Sequence, residues 1–183
     1  MTTYIYKDEL YHHGIKGQKW EIRRFQNGDG SLTPAGKKRY SEAVSVNDDL
    51  YLLKNKKGAI ASFLSKRNEK IREETDKTRD YDIYTKSGKK IGNIELYSES
   101  DISTNIVWLG VDKRERGKKY AQSIMDWVIK NETKNGRKQL TLEVPGSSPD
   151  ARHIYEKKGF VAGKQISDED DIWGGLTKME RKL

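Results

Sequence analysis

The chain has no cysteine, only three prolines among 183 residues, and no long apolar run. Without cysteine, a disulfide framework and a thiolate zinc site are both excluded. No window approaches the roughly 18 consecutive apolar residues that a membrane-crossing helix needs. The N-terminus shows no apolar core of the kind a secretory signal carries, so the cytoplasm is the expected compartment. Histidine is scarce too, with three in the chain. His12, His13 and His153 form no metal-ligand spacing, and no metal is expected. Hydrophobic residues make up 33% of the chain and charged residues 35%. That supply fills the core of one domain of about 100 residues and leaves little for the rest. The net charge is +8, with a pI near 9.4. Acidic residues are interspersed throughout and no long basic block appears, so nucleic acid is not expected as the main partner.

What is present concentrates between Ile106 and Phe160. Ile106-Val107-Trp108-Leu109-Gly110-Val111 is an apolar run that predicts a buried strand. A basic turn follows, with Arg114, Arg116, Lys118 and Lys119 around Gly117. Ala121, Ile124, Met125, Val128 and Ile129 then recur at helical spacing on one face. Asn135-Gly136 breaks that helix. Leu140 to Val144 predicts a second strand, and Ser148-Pro149 opens a short helix that ends at Gly159-Phe160. A basic turn at a helix start offers unpaired backbone N–H groups and the positive end of the helix dipole, which suits a phosphate.

Elsewhere the pattern is simpler. Tyr81 to Thr85 and Ile91 to Tyr97 alternate with period two around Lys86-Ser87-Gly88, predicting a hairpin. Val161 to Ile166 and Ile172 to Met179 predict another, with an acidic loop between them. Residues 44–79 read as helical, with Asn47-Asp48-Asp49 as a helix cap and Glu69, Glu73, Lys70 and Lys77 in solvated helix pairs. Leu50 to Leu53 is the candidate for a first strand. Residues 1–40 have two turn signals, Asn27-Gly28 and Asp29-Gly30, and too little apolar material for a core. Thr33-Pro34 suits an N-cap and first helical position.

The order strand, basic turn, helix, strand, short helix resembles the core of the GNAT N-acetyltransferase superfamily. Its diphosphate loop, Gln/Arg-x-x-Gly-x-Gly/Ala, is similar to Arg116-Gly117-Lys118-Lys119-Tyr120-Ala121, with Lys119 at the first motif glycine. Its later signature, Asn-x-x-Ala-x-x-x-Tyr-x-x-x-Gly-Phe, is similar to the stretch from Ser148 through Ala151, Tyr155, Gly159 and Phe160, with Ser148 in place of Asn. The resemblance runs from Tyr81 to the C-terminus. It implies an α/β fold, a GNAT-like mixed twisted sheet of about six or seven strands with flanking helices, preceded by an extended N-terminal arm. The implied organisation is an arm over 1–40, a helical connecting region over 41–79 and the acetyltransferase domain over 80–183.

The same resemblance implies acetyl-CoA as cofactor. Leu109 and Val111 would meet the pantetheine arm, and Arg116, Gly117, Lys118, Lys119, Tyr120 and Ala121, with Ser148, would surround the diphosphate. Tyr155 would be the acid that protonates the thiolate, since a phenol with a pKa near 10 is a donor at neutral pH. The base is left between Glu143 and Glu95, with Glu143 preferred. Asp168, Glu169, Asp170 and Asp171, in the loop between the last two strands, would border the amine acceptor.

A second resemblance lies in HHGIKGQKWEIRRFQNGDGSLTPAGKKRY, residues 12–40. It is similar to a module HHGxKGQKWGxRRYQNxDGSLTxxGxxRY of proteins encoded by tailed bacteriophages and prophages, with Glu21 in place of a glycine. That resemblance implies a phage head or portal component as a partner of the arm. Two functions follow: a phage-encoded N-acetyltransferase acting on an amine, or a virion-associated structural or assembly protein whose GNAT fold binds without turnover.

Overall fold

The computed structural model describes residues 33–36, 42–55, 68–168 and 174–183. The chain divides into two compact units, Met1–Glu42 and Ala43–Leu183. In the first, residues 34–36 form a helical turn. Thr33 Oγ1 accepts the Gly36 N–H at 3.0 Å, the capping bond expected where Thr precedes Pro. His12, His13, Trp20, Phe25 and the rest of the phage-like stretch up to Leu32 lie outside the described residues.

The second unit is built on one eight-stranded sheet. In chain order its elements are β1 (Val44–Ser45), β2 (Leu50–Lys54), α1 (Glu69–Lys77), β3 (Thr78–Thr85), β4 (Lys90–Ser98), β5 (Ser103–Val111), a 3-10 turn (Lys113–Glu115), α2 (Tyr120–Lys134), β6 (Gln139–Pro145), α3 (Pro149–Lys157), β7 (Val161–Gln165) and β8 (Leu176–Lys182). The strand order is β1-β2-β3-β4-β5-β6-β8-β7. Neighbours are antiparallel except β5 and β6, which are parallel. A parallel pair needs a crossover, and α2 supplies it.

Helix was expected from residue 44 onward. The described chain begins instead with the two strands β1 and β2. Asn47 Oδ1 accepts the N–H groups of Asp49 and Leu50, both at 2.9 Å, so the expected helix cap closes a strand-to-strand turn. The same side-chain chemistry serves either purpose. Leu50, Leu52 and Leu53 are buried, and β2 pairs with β3, which bears out the candidate first strand. Residues 56–67 of the expected helical region lie outside the described residues, and α1 is its described helix. Both expected hairpins form, as β3–β4 and β7–β8.

The core lies between one face of the sheet and α2. Leu52, Ile83, Ile94, Leu96, Leu140, Val144 and Met179 meet Ile124, Met125 and Val128, all fully buried. Truncating any of these leucines or isoleucines to Ala costs about 2–5 kcal/mol. The helix ends at Gly136, whose φ of 78° suits a left-handed C-terminal stop.

One charged cluster lies inside this layer. Glu132 of α2 is completely buried. Arg79 of β3 reaches both its oxygens at 2.7 and 2.9 Å, and Thr104 of β5 donates at 2.7 Å. Burial pushes the Glu132 carboxyl up. The Arg79 and Thr104 hydrogen bonds and the guanidinium charge more than offset this, and its pKa falls below the ordinary value. The cluster ties β3, β5 and α2 together.

Candidate active site

β5 and β6 pair only from Ser103–Gln139 to Ile106–Leu142. Beyond that point β5 continues along β4 to Val111, and β6 continues along β8 to Pro145. The two strands part, and their facing edges open a cleft of about 620 Å³. The parting coincides with a bulge. Glu95 is opposite Trp108 and Leu96 opposite Ile106, so Val107 is an extra residue in β5. A bulge bends its strand and leaves a residue outside the ladder. Val107 and Trp108 are exposed, at 52% and 54%, which corrects the expectation that the whole run from Ile106 to Val111 is buried.

The turn before α2 closes one end of the cleft. The first main-chain bond into the helix runs from the Ser123 N–H to the Lys119 oxygen at 3.1 Å. The N–H groups of Tyr120, Ala121 and Gln122 therefore have no helical acceptor, and Lys119 provides no side-chain cap. The three residues that carry these amides line the cleft. Lys119 has φ 61° and ψ 14°, and it is the single non-glycine at positive φ among the described residues. That is the conformation a glycine takes without penalty, and a side chain there costs about 1–2 kcal/mol. The backbone keeps the shape of the motif glycine although the residue has changed.

Glu115 holds this turn against the sheet. It is buried and receives Lys118 Nζ at 2.8 Å and Lys89 Nζ at 2.5 Å. The Lys118 hydrogen bond, then that of Lys89, lowers its pKa to about 2. The Lys118 side chain is thus turned to Glu115 and away from the cleft lining. Arg116 Nε donates to the Val111 oxygen at 3.2 Å, joining the turn to the end of β5.

Of the residues singled out in sequence, Leu109, Val111, Arg116, Gly117, Lys119, Tyr120, Ala121, Glu143, Ser148 and Tyr155 all line the cleft. Ser148 is the N-cap of α3 without a side-chain cap bond. Tyr155 stands on α3 with its ring 6.0 Å from that of Phe160, and burial pushes its phenol up. Glu143 is exposed on β6. Asp168 is exposed in the β7–β8 loop, while Glu169, Asp170 and Asp171 lie outside the described residues. Lining residues that were not anticipated include Val107 at the bulge, Trp108 beside it, and Ile154 on α3. Trp108 has a sequence signal, an aromatic in an aliphatic strand two residues before a glycine. Among the described residues, no group of three or more His, Asp or Glu could hold a metal, and no helix is long and apolar enough to cross a membrane.

The acetyltransferase (GNAT) domain model matches residues 46–183. The chain belongs to the GNAT acetyltransferase family. The match begins within the β1–β2 turn, well before Tyr81, so β2 is part of the family's domain. GNAT proteins are acetyl-CoA-dependent N-acetyltransferases, and the protein is an enzyme of that kind. Solved structures share the fold at low identity. A GNAT family acetyltransferase from Elizabethkingia anophelis with acetyl-CoA bound aligns at TM-score 0.57 and 16% identity, over 75% of this chain and 100% of that one. Spermidine N-acetyltransferase from Vibrio cholerae, in complex with CoA and spermine, aligns at 0.58 and 18%, over 74% and 96%. An IAA acetyltransferase from Bacillus cereus aligns at 0.56 and 16%, over 73% and 99%. No curated protein matches the chain in sequence.

Proposed function

We propose that this GNAT enzyme transfers acetyl from acetyl-CoA to a cationic amine in the cleft between β5 and β6. The observation that carries the reading is the parting of those strands beside a turn whose residues line the opening and whose amides lack a helical acceptor. Pantetheine contains amides and can pair with the free edge of β5 as an added strand would, near Leu109 and Val111. The diphosphate suits the amides from Gly117 to Ala121, where the helix dipole favours an anion.

The neutral amine attacks the thioester carbonyl. A C–N bond forms and the C–S bond breaks. The ammonium proton passes to Glu143, the candidate carboxylate that lines the cleft, and the departing sulfur takes a proton from the Tyr155 hydroxyl. The second proton, shed by the nitrogen as the amide forms, returns through water to the phenol. Burial keeps the phenol in its protonated form.

Asp168, with Glu169, Asp170 and Asp171 next to it in sequence, supports a cationic acceptor by raising the local concentration of amines. A solved protein of the same fold holds CoA and spermine together, the same pairing of ligand classes. The test is release of CoA from acetyl-CoA with a panel of amines, with cofactor binding followed in parallel. Turnover with at least one amine is expected. Replacing all four acidic loop residues with Asn or Gln should raise the KM for a cationic amine, and an unchanged KM contradicts that role.

The N-terminal sequence resemblance favours a second reading, a GNAT fold that binds without turnover in a virion-associated protein. Cofactor binding without CoA release would support it. On either reading, residues 1–40 are a docking arm for a phage head or portal component, resting on the sequence resemblance alone. Deleting 1–40 should leave acetyl transfer intact.

A further inference from the structure

Side chains alternate along β5 beyond the bulge. Leu109 packs against the core with Val111, and Trp108 faces the opposite side of the sheet with its register partner Glu95. The indole is held in place there. Its Nε1–H donates to Asn93 Oδ1 at 3.2 Å. A Cβ on Gly110 would stand 2.7 Å from Nε1, 3.1 Å from Cε2 and 3.2 Å from Cζ2, so the ring lies across Gly110 and only a glycine leaves room for it. Yet Trp108 is 54% exposed and lines the cleft. A fixed, half-open aromatic in a cleft is a preorganised ligand surface.

The charges on this face are mainly acidic. Asp80 and Asp82 of β3 pair in register with Glu95 and Asn93. Lys90 meets Asp82 at 2.7 Å, and Asn55 donates to both aspartates. On the other wall of the cleft, Asn105 of β5 donates to Thr141 of β6 at 3.0 Å, which puts Thr141, and Glu143 two residues on, on the Trp108 face. Lys178 is the register partner of Glu143. Among the described residues, neither Glu95 nor Glu143 is held in an ion pair.

An aromatic ring flanked by carboxylates stabilises a cation. A cation so stabilised resists losing its proton, and the attacking nitrogen must lose one. The group gripped by Trp108 is therefore not the nucleophile. We propose that Trp108, with Glu95, binds a second, non-reacting ammonium of the acceptor, and that the acceptor is accordingly a small diamine or polyamine. This rests on the acetyl-transfer reading above.

The test compares 1,4-diaminobutane with butylamine, which lacks the second charge, in wild type, Trp108→Leu and Trp108→Phe. Wild type should prefer the diamine. Trp108→Leu should lower kcat/KM for the diamine about fivefold or more, while butylamine turnover and acetyl-CoA affinity stay near wild type. Trp108→Phe should keep part of the preference. Gly110→Ala, which pushes the ring from its seat, should act like Trp108→Leu. No preference in wild type, or an equal loss with both amines, overturns the inference and leaves acetyl transfer standing. No CoA release with either amine overturns both.

Discussion

At one end of the cleft, the turn from Arg116 to Ala121 presents main-chain N–H groups at the start of α2. At the other, Trp108, Glu143 and Tyr155 present side chains. The first end tolerates a change of residue: Lys119 stands at a motif glycine, and its φ of 61° preserves the backbone path. At the second end the proposed roles rest on an indole, a carboxylate and a phenol, whose chemistry other side chains would not reproduce. In the proposed function, cofactor recognition rests mostly on backbone, and acceptor choice and proton transfer mostly on side chains.

The largest expected effect separates the two ends directly. Tyr155→Phe should lower kcat by about 10²- to 10⁴-fold, the range for a lost general acid, while acetyl-CoA affinity stays as in wild type. Equal turnover would reduce Tyr155 to packing against Phe160. Because burial raises the Tyr155 pKa, the acid form persists at ordinary pH. The wild-type rate should not fall on its account until the pH passes about 10.

The next effect acts on the frame both ends share. Arg79→Ala leaves the buried Glu132 carboxylate without its main partner and should cost about 3–5 kcal/mol of stability, measured by urea unfolding. Glu132 has a lowered native pKa. Its contribution is therefore present above its unfolded value, about 4.3, and is lost as the pH falls through the lower native value. A wild type whose stability does not decline on acidification, or an Arg79→Ala variant as stable as wild type, would remove the cluster from the account.

The smallest effect concerns strain. Lys119→Gly should relieve the left-handed penalty, raising stability by up to about 1 kcal/mol after the extra chain entropy of glycine. A fall in stability would mean that the Lys119 side chain makes a contact outweighing its backbone cost.

Much of this was legible in the chain because it is periodic or short-range. The strand–turn–helix–strand–helix order from Ile106 to Phe160 and the two hairpins follow from apolar spacing and turn residues. Three features were not legible, each for a physical reason. Asn47 caps a helix or closes a turn with the same hydrogen bonds, and β1 is only two residues long, so the early strands had no periodic signal. Glu132 sits in a helix rich in polar residues, and its partner Arg79 is distant in sequence, so nothing local marked the pair as buried. The bulge at Val107 depends on pairing with β4, and an apolar run cannot show which of its members is squeezed out towards the cleft.

The most direct measurement is a calorimetric titration of acetyl-CoA into wild-type protein and Lys119→Gly. The account predicts saturable binding in both, with affinities within about fivefold, the share one exposed cation contributes when backbone amides hold the diphosphate. No binding at millimolar acetyl-CoA in wild type, or binding lost in Lys119→Gly, would contradict it.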